Sequence, residues 1–372
     1  MASEMLYPVM PVFLKEIGFS VLLIGILEGA AEAVAGLSKS YFGKWSDLSK
    51  RRLPFVQWGY TLSAISKPMM GLFSYPVWIF VARTIDRIGK GLRTGARDAM
   101  LSNETTKEHK AKVFGFHRSM DTLGAVIGPL AALLFLYYYP KQYKYLFFIA
   151  FVPGIMAILL TMLLKEKKPE TNNKKRPSSF FSFIAYWNNS SSDYKKLVTA
   201  LLIFTLLNSS DMFLLLQLKE SGRTDAFIIG AYIFYNLVYA LLAFPAGIIA
   251  DNMGLKKTFI IGLMLFAITY AGFGYYTNGY MPFVLLFIYG AYAATTESIA
   301  KAWISNIVHK EETATAIGTY TGFQSICAML ASTIAGLIWL KAGASTMFLI
   351  TALLTVLLVV YLGIFIRADR TT

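Results

Sequence analysis

The sequence predicts an all-α polytopic membrane protein of twelve spans arranged as two six-helix halves, and three observations predict it. Hydrophobic residues make up 56% of the chain and charged residues only 15%, with a mean hydropathy of +0.54, outside the range of soluble domains. Apolar stretches able to cross a hydrocarbon core about 30 Å thick, which takes roughly 20 helical residues, recur from end to end. Motifs of the first half of the chain return in the second at a near-constant spacing.

In order, the spans fall at residues 1–14, 18–43, 54–74, 76–100, 111–138 and 143–164, then at 196–218, 226–250, 257–276, 281–305, 313–339 and 345–366. The first is short. Only 14 residues precede Lys15, too few to cross, so either the true start is expected upstream or this span enters the bilayer incompletely. The N-terminus shows neither the charged region nor the small-residue cleavage site of a signal peptide. Residues 165–195 are polar, basic and interrupted by proline, and read as a linker between halves at 1–164 and 196–372. Within it, Phe180, Phe181, Phe183, Ile184 and Trp187 fit either a short helix lying in the membrane interface or a disordered tether.

Cation placement predicts the orientation. Lys44, Lys50, Arg51 and Arg52 follow the second span, Lys107, Lys110 and Lys112 follow the fourth, and the linker is rich in lysine. The positive-inside rule makes these loops and both termini cytoplasmic. Alternate loops carry interfacial aromatics such as Trp78, Tyr137 to Tyr139, Tyr275, Tyr276 and Tyr280, which suits the outer face. The net charge of +14 follows from this asymmetry and from attraction to anionic lipid, so nucleic acid has no place as a partner. Cys327 is the single cysteine, which excludes a disulfide framework and argues against a thiolate metal site. No metal or cofactor is expected, and the chain is expected to be a monomer.

"GKWSDLSKRR" from Gly43 aligns with "GIIADNMGLKK" from Gly247 at an offset of 204, and "AKVFG" ending at Gly115 aligns with "ATAIG" ending at Gly318 at 203. Glu4 and Asp211, offset by 207, then occupy equivalent positions in the first span of each half. Glu4 lies roughly 15 Å below the outer end of its span at 1.5 Å per residue, and Asp211 is about as deep, which sets both acids near mid-bilayer. Repeats of six spans about an axis along the membrane normal, with the binding site near the midplane, are one transporter architecture.

With these motifs the sequence resembles the major facilitator superfamily over essentially its whole length. The loop after the second span is similar to that family's signature Gly-x-x-x-Asp-x-x-Gly-basic-basic through Gly43, Asp47, Arg51 and Arg52, with Lys50 in place of the second glycine. The copy after the eighth span keeps it, as Gly247, Asp251 and Gly254 with Lys256 and Lys257. The first glycine permits close helix packing, and the aspartate and basic residues can form a charge-and-dipole latch on the cytoplasmic side. In the fifth span, Gly115, Gly124, Gly128 and Pro129 resemble the Gly-x8-Gly-x3-Gly-Pro pattern of exporter and antiporter branches, although Ala132 and Leu133 replace its final glycines. A plain packing motif is the alternative.

The fourth span, "VWIFVARTIDRIGKGLRTGARDAML", sets Arg83, Arg87, Lys90 and Arg97 on one face with Asp86 beside them and Asp98 at the inner end. So many charges, at about 3 kcal/mol each in lipid, must face protein or water. The pattern looks like a poorly characterised bacterial branch of the superfamily. Glu28 and Glu32 share a face in the second span, Arg118 and Asp121 lie one turn apart in the fifth, Lys67 precedes Pro68, and Glu297 is spaced to pair with Lys301.

Glu4, Glu28, Glu32, Asp86 and Asp211 are the candidates for proton coupling, because a carboxylate drawn partly out of water takes up a proton more readily. Arg83, Arg87, Lys90, Asp121, Asn208, Gln217, Tyr232, Tyr235, Asn236 and Gln324 are candidates for lining a substrate cavity. Arg97 and Asp98 join the latch residues, while Lys39, Arg118 and Lys301 are read as structural partners. The resemblance implies a secondary transporter in a bacterial plasma membrane, working by alternating access and driven by the proton gradient, most simply an exporter of a small organic molecule. An importer of a small solute or anion and a non-transporting receptor on the same fold are the alternatives. An enzyme is not expected, since the chain has three histidines and no constellation of metal ligands or nucleophile.

Overall fold

The structure is a computed structural model that describes residues 2–7, 9–10, 13–14, 17–19, 21–166, 182–223, 225–275 and 279–365, with backbone alone at 21–26, 28–30, 32–33, 182–184, 225–226, 229 and 365. The described residues form helices joined by turns and short loops, with no strand. In chain order the helices are α1 (Ala2–Leu6), α2 (Val21–Leu48), α3 (Leu53–Leu72), α4 (Pro76–Asn103), α5 (Lys110–Tyr138), α6 (Tyr143–Met162), α7 (Ser182–Asn189), α8 (Ser192–Leu207), α9 (Met212–Glu220), α10 (Asp225–Met253), α11 (Leu255–Tyr275), α12 (Met281–Ile307), α13 (Thr313–Ala342) and α14 (Ala344–Phe365). Eight stretches among the described residues are long and apolar enough to cross a membrane. Helices dominate because a backbone in hydrocarbon must satisfy its own hydrogen bonds.

Two compact units result. The first comprises 1–103, 123–189 and 308–325, and the second 104–122, 190–307 and 326–372. In the first, α3 packs on α4 and α6, and α2 packs on α4. Gly59 and Gly89 let α3 and α4 approach: a Cβ on either would lie within 2.8 Å of the other's carbonyl oxygen. Met5, Met10, Phe13 and Leu14 of the first span bury against Leu146, Phe147 and Ala150 of α6, with Phe13 and Phe147 edge to face at 5.0 Å. In the second unit, α12 packs between α10 and α11, and α11 also meets α14. Lipid tails are as apolar as these side chains, so close van der Waals contact and interhelical hydrogen bonds hold the helices together.

One predicted span is corrected. Residues 196–218 do not form a single helix, because α8 stops at Leu207 and α9 begins at Met212. The cause is local: Asn208, Ser209, Ser210 and Asp211 are four consecutive short polar residues whose side chains compete for backbone groups. The Ser210 side chain accepts from the Met212 N–H, and the Ser210 N–H donates to Ser332 of α13. Of the two readings of the linker aromatics, the helix is the one observed, as α7. Trp187 sets its ring edge to face on Phe323 at 5.7 Å within the first unit, while Phe180 and Phe181 lie outside the described residues.

Candidate functional site

Each residue of the α8–α9 break reaches a different part of the second unit. Asn208 donates through Nδ2 to the Tyr292 hydroxyl of α12 at 2.9 Å. The Ser209 hydroxyl lies 3.1 Å from that of Tyr270 on α11. Asp211 accepts the Tyr235 hydroxyl of α10 on Oδ2 at 2.8 Å and the Tyr289 hydroxyl of α12 on Oδ1 at 2.6 Å. The tyrosine rings pack against one another, with centroids 5.2 Å apart for both Tyr235–Tyr289 and Tyr289–Tyr292. Asp211 thus stands half-buried among hydroxyl donors, and no cation pairs with it among the described residues.

The other predicted cavity residues of this half scatter around that centre. Tyr232 stacks edge-on against Tyr235 at 6.0 Å, and its carbonyl accepts the Asn236 side chain, so Asn236 bonds within its own helix. Gln217 donates to the Phe273 carbonyl at 3.4 Å. Gln324 is half-buried and belongs to the first unit.

In the first unit the predicted charge stripe of α4 is gathered by a residue of α3. Lys67, 2% exposed, donates from Nζ to Asp86 Oδ1 at 2.6 Å. Ser63 donates to the same oxygen at 2.9 Å, and Arg83 lies 3.9 Å from Oδ2. Arg93 donates to Ser63 at 2.8 Å and sits 4.7 Å over the Tyr60 ring. Arg87 and Lys90 follow on α4, half-buried. Arg97 is bonded to its neighbour Asp98, whose carboxylate is 1% exposed. Glu4 is half-buried in α1, and the side chains of Glu28 and Glu32 lie outside the described residues.

The signature loops form paired caps. Asp47, at the end of α2, accepts the N–H and hydroxyl of Thr315 on Oδ2 at 2.7 and 2.8 Å, and accepts Arg52 on Oδ1 at 2.8 Å. Arg52 also donates to the Lys310 carbonyl, and Glu166 accepts the N–H groups of Arg52 and Leu53 at the start of α3. Asp251, at the end of α10, accepts the Ala111 and Lys112 N–H groups at 3.0 and 2.8 Å. Each carboxylate therefore caps the free N–H groups and positive dipole end of another helix, Asp47 that of α13 and Asp251 that of α5. One turn before each aspartate, a glycine makes room: a Cβ on Gly43 would lie 2.5 Å from the Ala314 carbonyl, and one on Gly247 would lie 2.4 Å from that of Ala111. Arg51 is exposed. Lys50 takes φ +52°, the left-handed conformation that its counterpart Gly254 takes at +97°.

Two further contacts hold the first part of α5, up to Thr122, within the second unit. Gly115 approaches the Ala243 carbonyl, and Arg118 pairs with Glu297 of α12 at 2.5 Å while donating to Tyr239 and lying 3.6 Å from Asp121. Gly128 and Pro129 are buried farther along α5, and Gly124 is half-buried. Among the described residues no group of three or more His, Cys, Asp or Glu is placed to hold a metal ion.

A family model described as Major Facilitator Superfamily matches residues 1–234 and 216–372, together the whole chain. The chain belongs to this superfamily. An uncharacterized MFS-type transporter of Methanocaldococcus jannaschii is 31% identical over 345 residues, covering 91% of this chain and 85% of that protein. An uncharacterized protein of Mycobacterium tuberculosis is 32% identical over 118 residues, 32% of this chain and 29% of that one. A human organic anion transporter superposes with a TM-score of 0.78 at 16% identity, over 97% of this chain and 95% of that one. The outward conformation of FucP, an MFS transporter, gives 0.78 at 13% identity over 97% and 94%. The chain is therefore a multi-pass membrane protein with the superfamily fold and a secondary transporter rather than an enzyme.

Sequence reasoning missed Tyr270, Tyr289 and Tyr292 as companions of the break, and Glu297 as the partner of Arg118. A signal was present: Tyr232, Tyr235 and Tyr239 fall at helical spacing on one face of α10, and Tyr289 and Tyr292 fall at the same spacing on α12. Hydroxyls repeated on one face of apolar helices mark where polar partners gather.

Proposed function

We propose that this secondary transporter is a proton-coupled exporter of a small organic molecule, with Asp211 as the group that loads and releases the proton. The observation that carries this reading is the Asp211 carboxylate at a break in a membrane helix, held by two tyrosine hydroxyls with no cation paired to it among the described residues. A carboxylate so held keeps its charge through neutral donors, and protonation leaves no buried cation stranded. Broken helices at mid-membrane are also where transporters of this kind bind ions and substrates. The Asp47 and Asp251 caps are the cytoplasmic latches that alternating access has to open. Export is favoured by Gly115, Gly124, Gly128 and Pro129 in α5.

The test is proton movement in proteoliposomes that contain a pH dye and are challenged with a library of small organic solutes. An exporter moves protons against the flow of an active solute, and Asp211→Asn abolishes the proton signal while solute exchange persists. Proton flow in the direction of the solute makes the protein an importer. Full proton coupling in Asp211→Asn removes this residue from the mechanism.

A further inference from the structure

The hairpin between α5 and α6, at the opposite end of the helices from the basic loops, carries two adjoining cavities within the first unit. One, of about 480 Å³, is lined by Lys141, Gln142, Tyr143 and Lys144 over Phe13 and Gly71. The other, of about 540 Å³, is lined by Phe135, Tyr139, Phe148, Ile149 and Val152. Gln142, Tyr145 and Phe148 border both, so a polar, cationic mouth continues into an apolar groove.

Three features single out the mouth. Lys141 and Lys144 are exposed, and neither ammonium has an ion-pair or hydrogen-bond partner among the described residues. Lys141 holds a left-handed backbone conformation, φ +64°, which costs a non-glycine residue roughly 1–2 kcal/mol. Both lysines are flanked along the chain by Tyr137, Tyr138, Tyr139, Tyr143 and Tyr145. Tyrosine rings concentrate at headgroup level, so the ammonium groups are at the depth of lipid phosphates. From Tyr143 to Val152, nine residues along α6 at 1.5 Å each, the groove runs about 13 Å into the hydrocarbon layer. Tyr145 and Val152 remain 59% and 56% exposed along it.

We infer that this hairpin is a binding site for an anionic phospholipid of the leaflet facing it. The phosphate and net negative headgroup sit between Lys141 and Lys144, and one acyl chain lies along Phe148, Ile149 and Val152. A soluble anion would use only the mouth, and a zwitterionic lipid would not need two free ammonium groups.

The test is native mass spectrometry on the full chain, released from nanodiscs of phosphatidylcholine alone or with one fifth phosphatidylglycerol. The parent is expected to retain one phosphatidylglycerol in preference to phosphatidylcholine. Lys141→Gln/Lys144→Gln should lower that preference roughly 30-fold, about fivefold for each lysine near a membrane surface. Val152→Trp, which fills the groove and leaves both lysines, should also release the lipid. Each variant's melting temperature in phosphatidylcholine nanodiscs reports its folding, and a variant that does not fold is replaced by Lys144→Gln or Ile149→Phe. Parental preference in the lysine variant overturns the proposal. So does retention unaffected by filling the groove, or displacement of the lipid by millimolar inorganic phosphate, since either makes the site one for a free anion.

Discussion

Replacing Asp47 or Asp251 by asparagine isolates the capping contacts. Asp251 accepts one helix N-terminal N–H on each oxygen, whereas Asp47 accepts both Thr315 donors on Oδ2 and Arg52 on Oδ1. Asparagine keeps one oxygen, turns the other position into a donor that faces a donor, and removes the negative charge from the positive dipole end. Loss of a cap costs about 0.5–2 kcal/mol, and loss of a well-placed charge at a helix terminus about 0.3–1, up to about 2 kcal/mol. On the proposed latch role, about 2 kcal/mol per cap is therefore expected, which shifts the balance toward the unlatched state roughly 30-fold. The two aspartates share no partner, so the double variant should shift it roughly a thousandfold.

Buried serines nearby make suitable reporters, in a background where Cys327 is replaced by alanine. Ser46, 0% exposed in α2, reports on Asp47, and Ser305, 1% exposed in α12, reports on Asp251. Each is changed to cysteine and labelled with a membrane-impermeant maleimide. Labelling should accelerate roughly 30-fold in Asp47→Asn at Ser46→Cys and in Asp251→Asn at Ser305→Cys, with little change in melting temperature. Parental labelling rates in folded Asp47→Asn and Asp251→Asn would refute the capping argument.

Two stability predictions follow from the first unit. Lys67→Met should lower unfolding free energy by about 3–5 kcal/mol, because it leaves Asp86 buried with its nearest cation gone, while Lys67→Met/Asp86→Leu should recover most of the loss; chemical denaturation in detergent reads both, and equal loss in the two variants would contradict the pairing. Lys50→Gly should raise stability by about 0.5–1 kcal/mol, since glycine removes the left-handed strain of roughly 1–2 kcal/mol and adds some unfolded-state entropy; a lower melting temperature would show that the lysine side chain holds the turn.

The spans were legible because hydropathy and helical length are one-dimensional properties. The paired loops were legible as well, because a duplicated glycine and aspartate at one offset is visible without coordinates. The break at Asn208 to Asp211 is hard to see in the sequence because apolar runs on both sides mask a four-residue polar interval, although short competing side chains are what interrupt a helix there. The caps joining Asp47 to Thr315 and Asp251 to Ala111, and the pair of Arg118 with Glu297, join residues 140 to 268 positions apart. Nothing local marks such partners. They follow from which helices the glycines allow to touch. Lys67 shows the same limit, since its place before Pro68 was plain but its partner Asp86 sits on the next helix.

Asp86 and Asp211 are both proton-coupling candidates by sequence, and their surroundings differ. Asp86 stands 2.6 Å from the ammonium of Lys67 and 3.9 Å from the guanidinium of Arg83, in a site where aspartate and lysine are 4% and 2% exposed. A proton on Asp86 would leave Lys67 charged, buried and unpaired, a loss of several kcal/mol. Asp211 has two tyrosine hydroxyls and, among the described residues, no paired cation. When it takes a proton, a tyrosine hydroxyl can turn from donor to acceptor, so the carboxyl keeps a hydrogen-bond partner in both states. Asp86, on the proposed reading, fixes α3 against α4. On the proposed reading, the group that changes charge in each cycle belongs at the broken helix, where both protonation states are affordable.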